Sequence, residues 1–322
     1  MTNTSAKHNA KVNGQRHEMN LVKPIERFGS EDRCRDYLEV LRWPDGVRCT
    51  ACGSDSISRI TTRNQFDCNA CRNRFSVKSG TVFHDSHLPL WKWFLATYLM
   101  TESRKGISAN QLKRTLAVSY KTAWYLCHRV RWAMSLVDRP RLNGTVEADE
   151  TYVGGKATGF KTKQDAARGR MRNKTIVLGA IQRDGDLRLQ VVKDAGSETV
   201  KAFFSEHIGE DAEAIYTDAH RSYREAHGEV PHSFVDHSAD EWVRGDVHTN
   251  SIESAWSLFD RAVVGAYHQL SKKHLPAYLA EFEFRFNNRE NPFLFRDTLT
   301  QLVSADPLTY RELTQPDHQP QP

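Results

Sequence analysis

Three acidic residues in separate stretches of the chain could meet at one metal site. Asp149 lies in the β-rich stretch TVEADETYVGG, Asp218 ends the apolar stretch AIYTD, and Glu253 lies in HTNSIESAW. Sixty-eight residues separate the two aspartates, and 34 separate Asp218 from Glu253. Carboxylate oxygens are ligands that Mg²⁺ prefers, and phosphoryl transfer with two metal ions needs them around ions about 3.5–4 Å apart. The three acids are therefore candidate catalytic ligands for Mg²⁺ or Mn²⁺.

The pattern alone leaves alternatives for each of these acids. Glu147 shares a strand face with Asp149, and Glu150 adjoins it, so the first ligand stays open. Asn250 is a good N-cap residue, and Glu253 three positions later completes a capping box. A surface carboxylate or a helix cap explains any one acid taken alone, whereas the joint pattern favours a shared site.

Four cysteines form a second candidate site, with the spacing C-x2-C-x15-C-x2-C over residues 49–71. In an intracellular chain, close cysteine pairs indicate metal ligands rather than disulfides, and scattered free thiols are the alternative. Four protein ligands leave no open position on the ion, so a zinc site of this kind is structural. The four predicted zinc ligands are Cys49, Cys52, Cys68 and Cys71.

Charge is distributed unevenly along the 322 residues. Residues 1–148 carry 24 Lys and Arg against 13 Asp and Glu, whereas the remaining residues carry 21 against 27. This asymmetry suggests a nucleic-acid-binding region in the first half and clustered, cation-binding carboxylates in the second. The sequence has no apolar run of about 18 residues and no signal-peptide core at its N-terminus. We therefore expect a cytoplasmic, nucleoid-associated protein that does not enter a membrane.

Residues 86–140 predict a helical DNA-binding region. The stretch LPLWKWFLATYLMTES forms an aromatic-rich core helix, and residues 106–134 read as helix, short turn, helix, with Ser108 as the first cap. A helix-turn-helix places its second helix in the major groove, whereas a plain helical hairpin is the alternative. The second helix has a basic face opposite its apolar one. From that face we expect DNA contacts by Lys121, Arg129 and Arg131.

Residues 141–295 predict a mixed sheet flanked by helices. The order is three strands, helix, strand, helix, strand, helix, which is the ribonuclease-H-like arrangement. Such a sheet brings the first strand, the end of the fourth strand and a late helix together, which would gather Asp149, Asp218 and Glu253. The expected fold class is therefore α/β and multidomain, with a zinc ribbon and a helix-turn-helix in front.

The loop between the first two strands is strongly basic and rich in glycine. Asp165 is its one acid. A mobile solvated loop is one reading; because the loop follows Asp149, we expect it to clamp the DNA strand that is cut. Its basic residues are Lys156, Lys161, Lys163, Arg168, Arg170, Arg172 and Lys174.

Several longer stretches carry a family resemblance. They are RCTACGS, FDCNACRNRFSVKSGTVFH, GISANQLKRTLAVSYKTAWYLCHRVRWAM, VEADETYVGGK, IYTDAHRSY, HTNSIESAWSLFDR and YLAEFEFRFNNR. In order and spacing, from about residue 27 to residue 290, the chain resembles prokaryotic insertion-sequence transposases of the DDE type with an N-terminal zinc ribbon. The resemblance implies that Asp149, Asp218 and Glu253 are the catalytic acids and that the four cysteines bind zinc.

One position departs from the family pattern. The family often has Lys or Arg seven residues after its catalytic glutamate, and here that position is Asp260, followed by Arg261. We expect Arg261 to contact a DNA phosphate in its place.

The resemblance implies a homo-oligomeric enzyme that binds terminal inverted repeats in double-stranded DNA, cuts them with Mg²⁺ or Mn²⁺ and joins the freed 3′-hydroxyl to target DNA. A metal-dependent nuclease on the same fold and an inactive, transposase-derived regulator are the alternatives. The expected regions are a disordered N-terminus (1–26), a zinc ribbon (27–85), a helix-turn-helix region (86–140), the ribonuclease-H-like DDE domain (141–295) and a C-terminal tail (296–322).

Overall fold

The structure, a computed structural model, describes residues 26–154 and 174–315. These residues form a small cysteine-bearing sheet, a cluster of helices and a larger mixed sheet flanked by helices. None of the helices in the described ranges combines the length and the apolar character needed to cross a membrane.

The small sheet has three antiparallel strands in sequence order. Its strands are β1 (Ile57–Ile60), β2 (Gln65–Cys68) and β3 (Arg74–Phe75). Phe66 and Phe75 pack against each other with ring centroids 5.6 Å apart, and they form a core of their own beside the cysteines. A sheet this small buries little apolar surface, so a bound metal would contribute much of its stability.

Five helices pack around one apolar core. They are α1 (Glu31–Arg42), α2 (Leu90–Glu102), α3 (Ala109–Leu116), α4 (Tyr120–Ser135) and α8 (Leu294–Ser304). The predicted cap of α3 is confirmed, because Ser108 Oγ accepts from the Gln111 amide at 3.1 Å. The helix pair α3–α4 therefore forms where residues 106–134 predicted it.

The expected C-terminal tail is wrong for much of residues 296–322. Helix α8 buries Leu299 and Leu302 completely in the helical core, and α9 (Tyr310–Thr314) follows with a capping box at Thr309. The apolar spacing in α8 is that of an amphipathic helix, and such a face needs a partner. Residues 316–322 lie outside the described ranges.

The larger sheet has five strands in the order β6-β5-β4-β7-β8. The strands are β4 (Thr145–Val153), β5 (Thr175–Gln182), β6 (Leu187–Val192), β7 (Ala214–Asp218) and β8 (His232–Val235). Strands β4, β5 and β6 are antiparallel neighbours, whereas β7 and β8 run parallel to β4. The first and fourth strands are therefore adjacent at the centre of the sheet.

Helices cover both faces of this sheet. Helix α5 (Ser197–His207) packs on one face through Val200 and Phe203, against a core that includes Val146. Helices α6 (Asn250–Ala262) and α7 (Leu275–Asn287) share the core of the other face. Residues that alternate along β4 consequently meet different helices.

Helix α7 joins the sheet to the helical cluster through buried charge. Arg131 Nε of α4 lies 2.6 Å from Glu281 Oε2 of α7, and both side chains are almost completely buried. On the sheet side, Glu283 accepts a hydrogen bond from the Leu189 amide at 3.0 Å. A buried ion pair of this kind costs several kcal/mol when only one partner is removed.

The contacts between α4 and its neighbours show that the expected DNA-contacting face of α4 is buried. Arg131 is taken up by Glu281, and Arg129 is buried with its guanidinium donating to the His84 carbonyl at 2.7 Å. His128 is also buried, against His274 and Tyr278. The prediction that Arg129 and Arg131 present a solvent-exposed basic face is therefore wrong in this structure.

Helix α6 begins where Glu147 of β4 meets its backbone amides. Glu147 Oε2 accepts from the amides of Ser251 (2.6 Å) and Ile252 (3.2 Å). Its Oε1 lies 2.8 Å from Arg183 Nε and 3.2 Å from His248 Nδ1. A carboxylate at this end also complements the helix dipole. Glu147 thus fixes both the start of α6 and its position on the sheet.

The expected capping box is wrong. Asn250 is the first residue of α6, the N-cap is Thr249, and neither side chain caps the helix amides. Glu253 instead accepts from the Thr249 hydroxyl at 2.9 Å. The carboxylate that serves the first-turn amides comes from the neighbouring strand, at Glu147.

Gly179 lets α6 approach the sheet closely. It lies in β5 opposite Asp149, and a Cβ at this position would lie 2.5 Å from Trp256 Cζ2 of α6. Real Cβ atoms do not come so close to a ring carbon, so the indole occupies the space that a side chain would fill. The glycine therefore places Trp256 directly over the strand that carries Asp149.

Glu147→Gln should destabilise the protein by about 3 kcal/mol, because Arg183 loses its buried counter-charge. Urea unfolding followed by circular dichroism measures the change. The matched control is Glu213→Gln, an exposed acid just before β7, which should stay within about 0.5 kcal/mol of wild type. Equal stability of the two variants would mean that another interaction anchors α6.

Candidate functional site

Asp149 and Asp218 occupy equivalent places on neighbouring strands. Glu147 pairs with Tyr216 in the parallel ladder of β4 and β7, and each aspartate lies two residues further along its strand. Side chains two residues apart point to the same face of a sheet. Arg183 connects the preceding pair, since it bonds to Glu147 and lies 4.9 Å over the Tyr216 ring. Both aspartates therefore face α6.

Asp149 is a largely buried carboxyl with acidic neighbours. Burial, together with the negative charges of Glu150 and Asp218, raises its pKa to about 7. Trp256 Nε1 donates to Asp149 Oδ2 at 3.1 Å, which favours the ionised form in part and fixes the orientation of the carboxyl. The site concentrates negative charge that no basic side chain of the described residues neutralises, and such a place attracts a cation.

Asp218 and Glu253 are held by neutral donors. Asp218 Oδ1 accepts from the His220 amide at 2.9 Å. Glu253 is exposed in the first turn of α6; its Oε1 accepts from Thr249 Oγ1 and lies 3.6 Å from His237 Nε2. In the described ranges, none of the three acids forms an ion pair with Lys or Arg.

Glu147 and Glu150 are engaged differently from Asp149. Every oxygen of Glu147 is used by the α6 amides, Arg183 or His248, and Glu147 is fully buried. Glu150 points to the opposite face, where it accepts from the Tyr223 hydroxyl. Of the three neighbouring acids, Asp149 is thus the one that faces α6 without a cationic partner.

The acids do not form a closed ligand set in this structure. Within the described ranges, the cysteines alone form a group of three or more metal-ligating side chains with ligand atoms within 4.8 Å of one another. Divalent cations in two-metal sites share carboxylates with phosphate oxygens and waters, so open spacing of the acids is compatible with binding that also uses DNA.

The four cysteines converge as predicted. Cys49 Sγ lies 3.6 Å from Cys71 Sγ, and Cys52 Sγ lies 3.6 Å from Cys68 Sγ. In a tetrahedral site with Zn–S bonds of about 2.3 Å, the sulfurs are about 3.8 Å apart. Each pair sits on a turn closed by a backbone bond, and the residue after each pair, Gly53 or Arg72, has a positive φ. The donor set fits a structural zinc ion.

The basic residues expected to bind DNA divide into four groups. Lys121 and Arg261 are exposed; Lys121 Nζ lies 4.4 Å over the Tyr310 ring, and Arg261 donates to Ser257 Oγ at 2.7 Å. Lys174 immediately precedes β5. Arg129 and Arg131 are buried, as described above. The remaining six lie outside the described residues: Lys156, Lys161, Lys163, Arg168, Arg170 and Arg172.

Two residues beside the acids were not expected from the sequence. Trp256 lies one turn after Glu253, and its ring nitrogen donates to Asp149. His237 contacts Glu253 and packs at a tilt against the exposed Trp242, with ring centroids 4.5 Å apart. A polar donor one helical turn from a candidate acid was the available signal for Trp256.

Two family models and a curated relative match this chain. The family described as ISXO2-like transposase domain matches residues 141–287, and the family described as transposase zinc-ribbon domain matches residues 29–74. An uncharacterized protein in the transposable element ISH50 of Halobacterium salinarum (strain ATCC 700922 / JCM 11081 / NRC-1) is 33% identical over 278 residues, which cover 82% of this chain and 93% of that protein.

A chain in the cryo-EM structure of the simian T-cell lymphotropic virus intasome in complex with PP2A regulatory subunit B56 gamma also matches, at 14% identity. The match covers 71% of this chain and 78% of that one, with a TM-score of 0.28. The two family matches, in contrast, together include the four cysteines and the three acids. The chain therefore belongs to the transposase family that combines a transposase zinc ribbon with an ISXO2-like transposase domain.

Proposed function

We propose that this transposase binds the terminal inverted repeats of its element and catalyses metal-dependent cleavage and strand transfer of double-stranded DNA. The observation that carries the proposal is the placement of Asp149, Asp218 and Glu253 around one face of the sheet without an ion pair to Lys or Arg among the described residues. Because two element ends must be paired, the working form is a homo-oligomer on DNA.

The proposal includes two finer assignments of fold. The larger sheet is ribonuclease-H-like, which its strand order and its two helical layers support. Helices α3 and α4 form a helix-turn-helix, which their caps and the short turn support. The burial of Arg129 and Arg131 shifts the DNA-contacting role of this region to exposed side chains such as Lys121.

Asp149, Asp218 and Glu253 would hold Mg²⁺ or Mn²⁺, and each has a neighbour that prepares it. Trp256 orients Asp149, and the His220 amide orients Asp218. Glu253 is held on the rim by Thr249 and His237 and has to turn inward to share an ion with the aspartates. When bound, two such ions activate the attacking oxygen and stabilise the leaving oxygen of an in-line displacement.

The same site would accept two nucleophiles in succession. Water cuts the strand at the end of the element, and the freed 3′-hydroxyl then attacks a target phosphodiester. Neither step needs a covalent bond to the protein. DNA would be positioned by the zinc ribbon, by Lys121, Lys174 and Arg261, and by the basic loop of residues 156–172.

Two alternatives keep the same fold. A metal-dependent nuclease would cut but would not join a pre-cut end to target DNA. A regulator derived from a transposase would bind DNA without cutting it. The carboxylates that face α6 without a cationic partner favour an active enzyme, whereas Asp260, in place of a basic residue, favours the regulator slightly.

Wild-type protein should nick or cut a supercoiled plasmid that carries the inverted repeats flanking its gene, in Mg²⁺ or Mn²⁺ and not in EDTA. Asp218→Asn and Glu253→Gln should each lower the rate about a thousandfold, because each removes a ligand worth several kcal/mol in the transition state. Initial rates on agarose gels give the measurement.

Glu213→Gln is the control for this assay and should cut at the wild-type rate. Joining of a pre-cut end to target plasmid separates the transposase from a nuclease. Absence of any cut in the wild type, under conditions where the protein binds the ends, would support the regulator and overturn the enzyme.

The raised pKa of Asp149 predicts how metal-free stability depends on pH. The folded state holds this proton up to a pH of about 7, whereas the unfolded chain releases it near pH 4. Wild type therefore loses stability relative to Asp149→Asn as the pH rises from 4 to 8, by up to about 4 kcal/mol. Thermal unfolding in EDTA across this pH range measures the difference.

Adding Mg²⁺ or Mn²⁺ at pH 8 should make wild type more stable than Asp149→Asn, because the ion stabilises the ionised carboxyl of the wild type and not the amide. Asp260→Asn, at an exposed acid on the same helix, should follow the wild-type curve. A parallel pH dependence in Asp149→Asn and wild type would contradict the buried, charge-crowded environment described for this carboxyl.

Cys68→Ser should lower bound zinc and weaken binding to the element ends while the larger sheet stays folded, since the two regions have separate cores. Mass spectrometry of metal content and a gel-shift assay measure the two effects. Cys34→Ser is the control: Cys34 lies away from the four-cysteine group in the helical core, so zinc should remain. Stoichiometric zinc in Cys68→Ser would refute the four-cysteine assignment.

A further inference from the structure

An open groove of about 650 Å³ runs along the outer side of α6 from the acid site. One wall is helix α6 itself, with Glu253 at one end and Asp260 and Arg261 further along. The opposite wall includes Lys105, which belongs to the turn between α2 and α3 of the helical cluster. The groove is thus the place where the helical region and the acid site face each other.

The turn that carries Lys105 is anchored by buried groups. Arg285 Nη1 donates to the carbonyls of Ser103 and Arg104, both at 2.9 Å. Gly106 has φ +75°, and Tyr267 Oη occupies the place where its Cβ would stand. The same hydroxyl donates to Glu281 Oε1 at 2.9 Å. The charge network that joins the two regions therefore also fixes the backbone beneath Lys105.

Lys105 is exposed and makes no ion pair with the described residues. Across the groove, the outer face of α6 carries two acids, Glu253 and Asp260, that repel a polyanion. Arg261 lies beside them and is partly taken up by its bond to Ser257. DNA that reaches the acid site through this groove would be favoured by a cation on the opposite wall, and an ammonium group carried by an anchored turn can bind one phosphate.

We propose that Lys105 binds a DNA phosphate next to the one that is cut and so sets the position of the strand relative to Asp149, Asp218 and Glu253. The inference rests on the proposed cleavage of DNA and adds a residue from outside the transposase domain to that site. Lys105 links recognition of the end by the helical region to cutting at the sheet.

The test uses full-length protein and a duplex oligonucleotide with the inverted repeat that flanks the gene. Lys105→Ala should cut it about tenfold more slowly at subsaturating DNA, the scale of one charge-assisted hydrogen bond, and Lys105→Arg should recover most of the rate. The matched control is Lys201→Ala, an exposed lysine on α5 across the sheet from the groove, which should match wild type. All variants should unfold at the wild-type temperature.

The contact is located by replacing single phosphates near the cut with neutral methylphosphonates. At one position the replacement should slow wild type about tenfold and should not slow Lys105→Ala further. If Lys105→Ala cuts like wild type, or if every replacement slows both proteins equally, the inference is overturned while the proposed function stands.

DNA-binding affinity measured in Ca²⁺ tests the contact between Lys105 and the phosphate without any cleavage. In Ca²⁺, log affinity should fall less steeply with log salt for Lys105→Ala than for wild type, by about 0.9 in slope, as expected for the loss of one phosphate contact. The affinity of Lys105→Ala should also be unchanged by the same methylphosphonate. If wild type binds but never cuts, the proposed function fails, and these binding data still confirm or refute the role of Lys105.

Discussion

The acid site depends on one buried carboxylate, Glu147, which meets the amide end of a helix. Its oxygens accept hydrogen bonds from the free amides of α6, balance the charge of Arg183 and contact His248. Helix amides without partners and a buried charge without hydrogen bonds are each unfavourable. Here the α6 amides donate to the Glu147 carboxylate, so both groups are satisfied. This contact fixes where α6 starts and how it is rotated on the sheet. Glu253 consequently lies on the rim, and Trp256, one turn later, reaches Asp149 across Gly179.

A second buried charge network determines how the acid site meets the rest of the protein. Glu281 and Glu283 lie two residues apart on α7, where one contacts Arg131 of the helical cluster and the other contacts the backbone of β6. Packing alone would allow the two regions to slide against each other, whereas hydrogen-bonded charges have one favourable geometry. The helical cluster, and with it the Lys105 turn, is therefore held at a fixed distance from the acids.

The sequence was most informative where chemistry and spacing coincide. The cysteine spacing and the apolar strand ending in Asp218 both predicted what the structure contains. It was least informative where a polar residue has a distant partner. Arg131 reads as part of an exposed basic face because its partner Glu281 is 150 residues away. Glu147 and Asp149 share a face, and only the helix above them distinguishes a capping carboxylate from a free one. Helix α8 was read as a tail because its core lies in the first half of the chain.

We propose Asp149 and Asp218, and not Glu147, as the ligands of the catalytic ions. Anomalous diffraction from crystals soaked in Mn²⁺ tests this most directly, because it locates the ions independently of activity. We predict an anomalous peak between the Asp149 and Asp218 carboxylates, with Glu253 turned toward it and Glu147 still bound to the α6 amides. A peak at Glu147, or no peak at the aspartates in Mn²⁺ concentrations that support cutting, would contradict the account.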